Sequence, residues 1–84
     1  MKREAIIDQL KVIVKPYVTD EQAFSNLSEA TDFINDLKIN SANLIDVILD
    51  IEEFFAIEID NTSMERMIDV KSAIEIITTK LEAK

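Results

Sequence analysis

Residues 40–55 read NSANLIDVILDIEEFF, and this stretch decides the fold. At about 100° per residue its apolar side chains fall on one side, which predicts a helix from Asn40-Ser41 to about Phe55. The predicted core face consists of Leu44, Val47, Ile48, Ile51, Phe54 and Phe55. The opposite face consists of Asp46, Asp50 and Glu53, flanked by Ile45, Leu49 and Glu52. A solvated helix face more often interleaves lysines with the acids for i,i+4 pairing, so this face is a candidate surface for a partner protein.

Amphipathic patterns predict further helices on both sides of this stretch. The first runs from Lys2 to about Lys15 and is stopped by Pro16, because proline lacks an amide donor and disfavours helix at the preceding residue. A short helix is predicted from Asn61 to about Met67, with Met64 and Met67 facing inward. The last helix begins after the capping residue Asp69 and carries an apolar stripe of Val70, Ala73, Ile74, Ile77 and Leu81.

The segment from Thr19 to Asn40 shows no sustained periodicity and predicts a long loop, with a helical turn near Glu29 to Ile34. Structureless loops of this length are uncommon in compact domains and are usually functional. The expected fold is therefore all-α: a bundle of three main helices plus one short helix, with a long first loop, in a single domain over residues 1–84.

The composition excludes several kinds of chemistry. The 84 residues include no cysteine, histidine or glycine. Without these residues there can be no disulfide, no thiolate or imidazole metal ligand and no Ser-His or Cys-His nucleophile pair. A glycine-rich phosphate loop is excluded as well. We therefore expect a protein that is not an enzyme.

The charge is strongly acidic and unevenly distributed. The formal net charge is -8, and no basic residue lies between Lys38 and Arg66. Such a surface repels nucleic acid and anionic membranes but attracts a basic patch on another protein. No apolar run approaches the roughly 20 residues of a membrane span, and no signal-peptide core is recognisable. We expect a cytoplasmic monomer.

Ser41 is the residue whose position is most informative. It follows the long loop and begins the helix with the acidic face. The first turn of a helix presents unpaired amides and the positive end of the macrodipole, so a phosphate esterified to a serine there is favoured. Taken alone, this position is also explained by an ordinary capping serine.

The order of motifs around Ser41 resembles the acyl carrier protein family. That family reads roughly Asp-Leu-Gly-x-Asp-Ser-Leu, then an acidic helix ending in Glu-Glu-x-Phe, a Glu-Ile step and an Asp-Val or Thr-Val start to the last helix. The matching residues in this chain are Asp36-Leu37-Lys38-Ile39-Asn40-Ser41, Glu52-Glu53-Phe54-Phe55, Glu58-Ile59 and Asp69-Val70. The match needs no gap from Asp36 onward, and the preceding order of helix and loop also agrees.

The departures from the family pattern are concentrated around the serine. Lys38 stands at the glycine position, Asn40 at the aspartate position and Ala42 at the leucine position. These changes suggest a specialised carrier, loaded by either a general or a dedicated transferase.

The resemblance implies that Ser41 is esterified to phosphopantetheine from coenzyme A, with the arm carrying acyl groups as thioesters for fatty-acid, polyketide or specialised lipid biosynthesis. It further implies that the partners are a phosphopantetheinyl transferase and acyl-transferring or acyl-modifying enzymes with basic patches. The implied partner face consists of Ile45, Asp46, Leu49, Asp50, Glu52 and Glu53. The implied acyl pocket consists of Ile48, Ile51, Ile59, Met64 and Met67. Two alternatives stay open: an aminoacyl or peptidyl carrier, and an acidic helical interaction module that is never loaded.

Overall fold

Five α-helices and one 3-10 turn account for the regular structure of residues 2–83, the part of the chain that this computed structural model describes. In chain order they are α1 (Arg3–Val14), the 3-10 turn Lys15–Tyr17, α2 (Glu21–Ser25), α3 (Ser41–Phe55), α4 (Asn61–Arg66) and α5 (Val70–Glu82). The all-α bundle expected from the sequence is confirmed, with α1, α3 and α5 as its long members.

The core forms where the apolar stripes of the three long helices meet. α1 contributes Ile6, Leu10 and Val14, and α5 contributes Val70, Ala73, Ile74, Ile76 and Ile77. α3 adds Val47, Ile48, Ile51 and Phe55. These side chains recur at helical spacing, so each helix buries one face in the shared core, and α1 packs against both α3 and α5. The spacing that predicts the helices therefore also predicts which residues are buried.

Side-chain caps define where the later helices begin. The Asn40 side chain accepts a hydrogen bond from the Asn43 amide at 2.8 Å, and α3 starts at Ser41, as predicted. Asp60 caps α4 through the Ser63 amide at 3.0 Å, and Asp69 caps α5 through the Ser72 amide at 2.8 Å. Each bond satisfies one of the amides that a helix start leaves without a partner.

The chain contains no glycine, yet two residues within 2–83 adopt the left-handed conformation that favours glycine. Ala56 has φ 55° and ends α3, where its amide donates to the Glu52 carbonyl oxygen. Lys38 has φ 60° and lies three residues before α3. A side chain in this conformation costs about 1–2 kcal/mol, so both positions carry local strain.

The long first loop differs from its prediction in two ways. Residues Glu21–Ser25 form the short helix α2, which is capped by Asp20. This helix was not predicted, because the segment shows no sustained apolar period. The helical turn predicted near residues 29–34 lies slightly later in the chain, at residues 32–36, where the Asp36 amide donates to the Asp32 carbonyl oxygen at 3.1 Å. The Phe33 amide donates to the Ile68 carbonyl oxygen at 3.1 Å. This stretch is thus held by the segment before α5.

An isolated antiparallel bridge between Asp32 and Asp69 marks this attachment. On one side of it the Val70 amide donates to the Thr31 carbonyl oxygen at 2.9 Å. Arg3 at the start of α1 also forms a salt bridge with Glu29. The loop that leads to α3 is therefore fastened to both terminal helices.

The predicted core face of α3 needs a correction at one residue. Phe54 is 54% exposed, whereas its neighbour Phe55 is 6% exposed. Phe54 lies at the edge of the apolar stripe, where the C-terminal turn of α1 does not cover it. Leu44 and Met64 are half-buried against the core, while Met67 is fully buried as predicted. α1 ends at Val14, before Pro16, which lies in the 3-10 turn.

Candidate functional site

Ser41 is an exposed residue and the first residue of the 15-residue helix α3. The residues before it are held in place by backbone hydrogen bonds rather than by helix. The Ile39 side chain is buried, and its amide donates to the Phe33 carbonyl oxygen at 3.0 Å. The hydroxyl-bearing residue is thus at the surface while the chain beside it is anchored in the core.

The amides of the first turn of α3 are only partly used by the protein. Asn40 takes two of them: its side chain accepts from Asn43, and its carbonyl oxygen accepts from Leu44 at 2.9 Å. The other two first-turn amides belong to Ser41 and Ala42, and helix geometry gives them no intrahelical partner. An anion on Ser41 would therefore meet backbone donors.

The electrostatics of this helix start also favour an anion. α3 has no acidic residue in its first turn, and its cap Asn40 is neutral. The positive end of the helix dipole is therefore not offset by a carboxylate of the cap or of the first turn. Lys38 is exposed close by in the chain. This is the most favourable part of an otherwise acidic helix for a phosphate ester.

The acidic residues of α3 differ in what they contact. Asp46 and Glu53 are exposed. The half-buried Asp50 accepts a hydrogen bond from the Tyr17 hydroxyl at 3.0 Å, and this bond raises the pKa of Tyr17. Sequence reasoning missed this contact, because nothing in the local pattern pairs residues 33 positions apart.

Glu52 has a structural contact that separates it from the other acids. Its Oε2 accepts a hydrogen bond from the Ile59 amide at 2.8 Å. This bond ties the linker between α3 and α4 back onto α3. Glu52 therefore supports the chain reversal as well as belonging to the predicted partner face.

Two aliphatic side chains are exposed beside the acids, as the sequence predicts. Ile45 is 50% and Leu49 is 52% exposed. They lie one helical turn apart, on the same side of the acidic residues. Exposed apolar side chains bordered by carboxylates are a combination that suits transient contact with a basic protein surface.

The residues predicted to line an acyl pocket are brought together in the core. Ile48, Ile51, Ile59 and Met67 are buried, and Met64 covers them half-buried from α4. A surface pocket of about 400 Å³ lies nearby between α4 and α5, but other residues line it: Ser63, Arg66, Glu75, Ile76, Thr79 and Lys80. The predicted pocket residues are thus packed against one another, and a chain would enter only if they part.

No helix within residues 2–83 combines the length and apolar character needed to cross a bilayer.

Comparison with known proteins shows which sequences and structures this chain resembles. The chain is 33% identical to the acyl carrier protein of Coprothermobacter proteolyticus over 84 residues, covering the whole of both chains. It is 28% identical to that of Thermotoga maritima over 79 residues, covering 94% of this chain and 95% of the relative. The solved acyl carrier protein of Enterococcus faecalis superimposes with a TM-score of 0.76 at 21% identity, over 95% of this chain and 99% of that one. No protein-family model matches the chain.

The bundle and these similarities define a small helical carrier protein. The chain belongs to the acyl carrier protein family. The resemblance seen in the sequence is thereby confirmed, and the members of this family are carriers rather than enzymes.

Proposed function

We propose that Ser41 is the attachment point of a phosphopantetheine arm derived from coenzyme A. The observation that supports this most directly is an exposed serine at the first position of a 15-residue helix with no acid in its first turn. A phosphodiester there would lie near backbone donors and the positive end of the dipole. The other serines within residues 2–83 do not begin a long helix.

The residues around Ser41 fit such an arm. The serine oxygen would form the ester, and the amides of Ser41 and Ala42 would stabilise the phosphate charge. When bound, the arm supplies a terminal thiol that holds an acyl group as a thioester. The protein's own part is to present the serine, keep its surroundings open and offer a recognition surface.

The recognition surface in this proposal is the acidic face of α3, with Ile45, Asp46, Leu49, Asp50, Glu52 and Glu53. Its partners would be a phosphopantetheinyl transferase and acyl-transferring or acyl-modifying enzymes with basic patches. Exposed charges of this kind mainly raise association rates and set specificity, and salt weakens their effect. Weak, fast contacts suit a carrier that must pass between enzymes.

In this proposal the chain acts as a monomeric carrier domain in the cytoplasm, serving fatty-acid, polyketide or specialised lipid biosynthesis. The -8 net charge favours a monomer over self-association.

The test is loading of the serine. Purified protein incubated with coenzyme A and a promiscuous transferase should gain the mass of a single arm by intact-mass spectrometry. Ser41→Ala should gain none, and the matched variant Ser63→Ala should load like the unmodified protein. Ser63 also follows a capped helix start, but the helix is the short α4.

Two results would contradict the assignment. An adduct that persists in Ser41→Ala would place the arm on another residue. A protein that gains no mass with any transferase, including one from its own source, would favour an unloaded interaction module.

The acyl chain is the second part of the proposal. We infer that it would enter between α3 and α4, among Ile48, Ile51, Ile59, Met64 and Met67. Each buried methylene is worth about 0.8 kcal/mol, and methionines repack readily around an irregular guest. α4 has six residues, so few contacts hold it in place.

Protein loaded with a chain of about eight carbons should therefore melt a few degrees above the unacylated form, since about 1 kcal/mol raises Tm by roughly 4–8 °C in a domain of this size. Its largest amide shifts should lie in residues 59–67. Unchanged melting and unchanged resonances there would show that the chain stays outside the core.

A further inference from the structure

A second groove lies at the opposite end of α3 from Ser41. We call it the distal groove, and it is lined by Val12, Ile13, Pro16, Asp50, Glu53 and Phe54. It lies between the C-terminal end of α1 with its 3-10 turn and the last turns of α3. Its volume is about 360 Å³, which is room for a large apolar side chain.

The apolar lining of this groove is unusually exposed. Val12 is 66% exposed and Phe54 is 54% exposed. The Phe54 ring is nevertheless held in place, because it packs edge-on against Phe55 with 5.0 Å between the ring centroids and 76° between the planes. An aromatic ring that is exposed but already ordered loses little conformational freedom on binding, and such residues often dominate binding energy.

The two walls of the groove are tied to each other. Tyr17 donates its hydroxyl to Asp50 at 3.0 Å, which links the turn carrying Pro16 to the helix carrying Phe54. Asp50 lies one helical turn before Phe54. The groove is therefore preformed rather than created by a partner.

The charges beside the groove define what could occupy it. Asp50 and Glu53 both line it. A second copy of this chain would bring the same carboxylates against them, and like charges facing one another oppose such a contact. A partner with lysine or arginine beside its apolar side chain would meet both the apolar surface and the carboxylates.

We propose that the distal groove docks a helical segment of another protein, one that inserts a large apolar side chain and places basic residues against Asp50 and Glu53. An amphipathic helix laid into a groove between helices is a common mode of recognition. Phe54 lies 13 residues after Ser41, which is about 20 Å along the helix. A partner held here leaves the serine accessible, but it would compete for Asp50 and Glu53 with the enzymes that use the proposed recognition surface.

The test uses a synthetic amphipathic helical peptide built only from leucine and lysine, titrated into isotopically labelled protein. The largest shifts should lie at Val12, Ile13 and Phe54 and their sequence neighbours. Phe54→Ser should weaken binding at least tenfold, a loss of about 1.4 kcal/mol. Ile68→Ser is the matched control, because Ile68 is also 54% exposed but lies outside both the groove and the proposed recognition surface, and it should change affinity less than twofold.

Circular dichroism should show that both variants fold, since both replaced side chains are half exposed. A peptide with serine in place of leucine, at the same charge, should bind much more weakly. Binding should persist in Ser41→Ala, so the result does not depend on the proposed arm.

Three outcomes would overturn the proposal. A loss from Ile68→Ser, or from Leu49→Ser in the proposed recognition surface, that equals the loss from Phe54→Ser would show that the groove is not the site. Equal binding of the serine peptide would reduce the interaction to charge alone. Concentration-dependent shifts at Phe54 without peptide would show that a second copy fills the groove.

Discussion

The helix starts at α3 and α5 use the same geometry with different chemistry. In each, a side-chain oxygen of the capping residue accepts the amide three positions on, at 2.8 Å. The cap of α3 is the neutral Asn40, whereas that of α5 is Asp69, a carboxylate whose pKa is lowered chiefly by the hydrogen bond from the Ser72 amide. The charge of the cap at the α5 start offsets the helix dipole, whereas the neutral cap at α3 adds no charge to offset it.

This difference suggests two uses for one motif. At α5 the cap is structural, because the Asp69 carboxylate is hydrogen-bonded at the helix start and its charge stabilises the folded state. At α3 the cap orders the turn without adding charge, which keeps the region beside Ser41 suited to an anion. The following predictions test how far that division holds.

The largest expected effect is loss of the α5 cap. Asp69→Ala should lower the free energy of unfolding by about 1–2 kcal/mol, because it removes both the hydrogen bond and the charge from a half-buried helix start. Asn40→Ala should cost less, about 1 kcal/mol, since no charge is lost. Urea denaturation measures both values. Asp69→Ser is the control and should recover most of the loss in stability. Equal costs for the two alanine variants would show that the charged cap of α5 and the neutral cap of α3 do not differ in their contribution to stability.

A smaller effect is expected from the approach to α3, where Lys38 has φ 60°. Lys38→Gly should raise the free energy of unfolding by about 0.5–1 kcal/mol, because glycine adopts this conformation without the steric cost that lysine bears. That steric cost exceeds the extra conformational entropy that glycine loses on folding. Ala56→Gly, at φ 55°, is a matched comparison at the end of the same helix. Thermal melts would show both gains. A gain in Ala56→Gly alone would mean that Lys38 makes compensating contacts.

The smallest effect concerns pH. Hydrogen bonds from Ser63 lower the pKa of Asp60, the cap of α4, and the Asp69 pKa is lowered by its own bond from Ser72. A lowered folded pKa contributes stability above the unfolded value of about 3.9, and this is lost as pH falls through the folded value. Acid should therefore weaken the starts of α4 and α5 but not the Asn40 cap of α3.

The double variant Asp60→Asn and Asp69→Asn isolates this term, because asparagine caps about as well as aspartate and does not titrate. Its stability should fall less than that of the unmodified protein between about pH 5 and about pH 2.5. Parallel pH curves for the two proteins would contradict the assignment of acid sensitivity to these caps.

Much of the fold could be predicted from the sequence because it rests on local patterns. The long helices α1, α3 and α5 follow from apolar spacing, and Asp69 was recognisable as a cap. α2 has only five residues, too few to show a period, although Asp20 before it was an available capping signal. The turn predicted near residues 29–34 lies at residues 32–36 instead, because the backbone of Glu29, Thr31 and Phe33 is bonded to residues near the start of α5.

The candidate site divides in the same way. The position of Ser41 at a helix start could be predicted from local pattern, and the exposure of Ile45 and Leu49 from helix geometry. Phe54 lies at the edge of the apolar stripe, and whether an edge residue is covered depends on where the neighbouring helix ends. The contact between Tyr17 and Asp50, like the left-handed Lys38, depends on tertiary structure.

The bridge between Asp32 and Asp69 determines when, during synthesis, the segment before Ser41 can fold. The Val70 amide that bonds Thr31, and the Ile68 carbonyl that bonds Phe33, come late in the chain. A nascent chain that has emerged only through α3 contains Ser41 but lacks these partners, and contacts between distant residues form after local helices because the loop must first close. The segment leading to the serine therefore reaches its final conformation only once the start of α5 has left the ribosome, so a modifying enzyme that reads that segment would act after residues 68–70 have emerged.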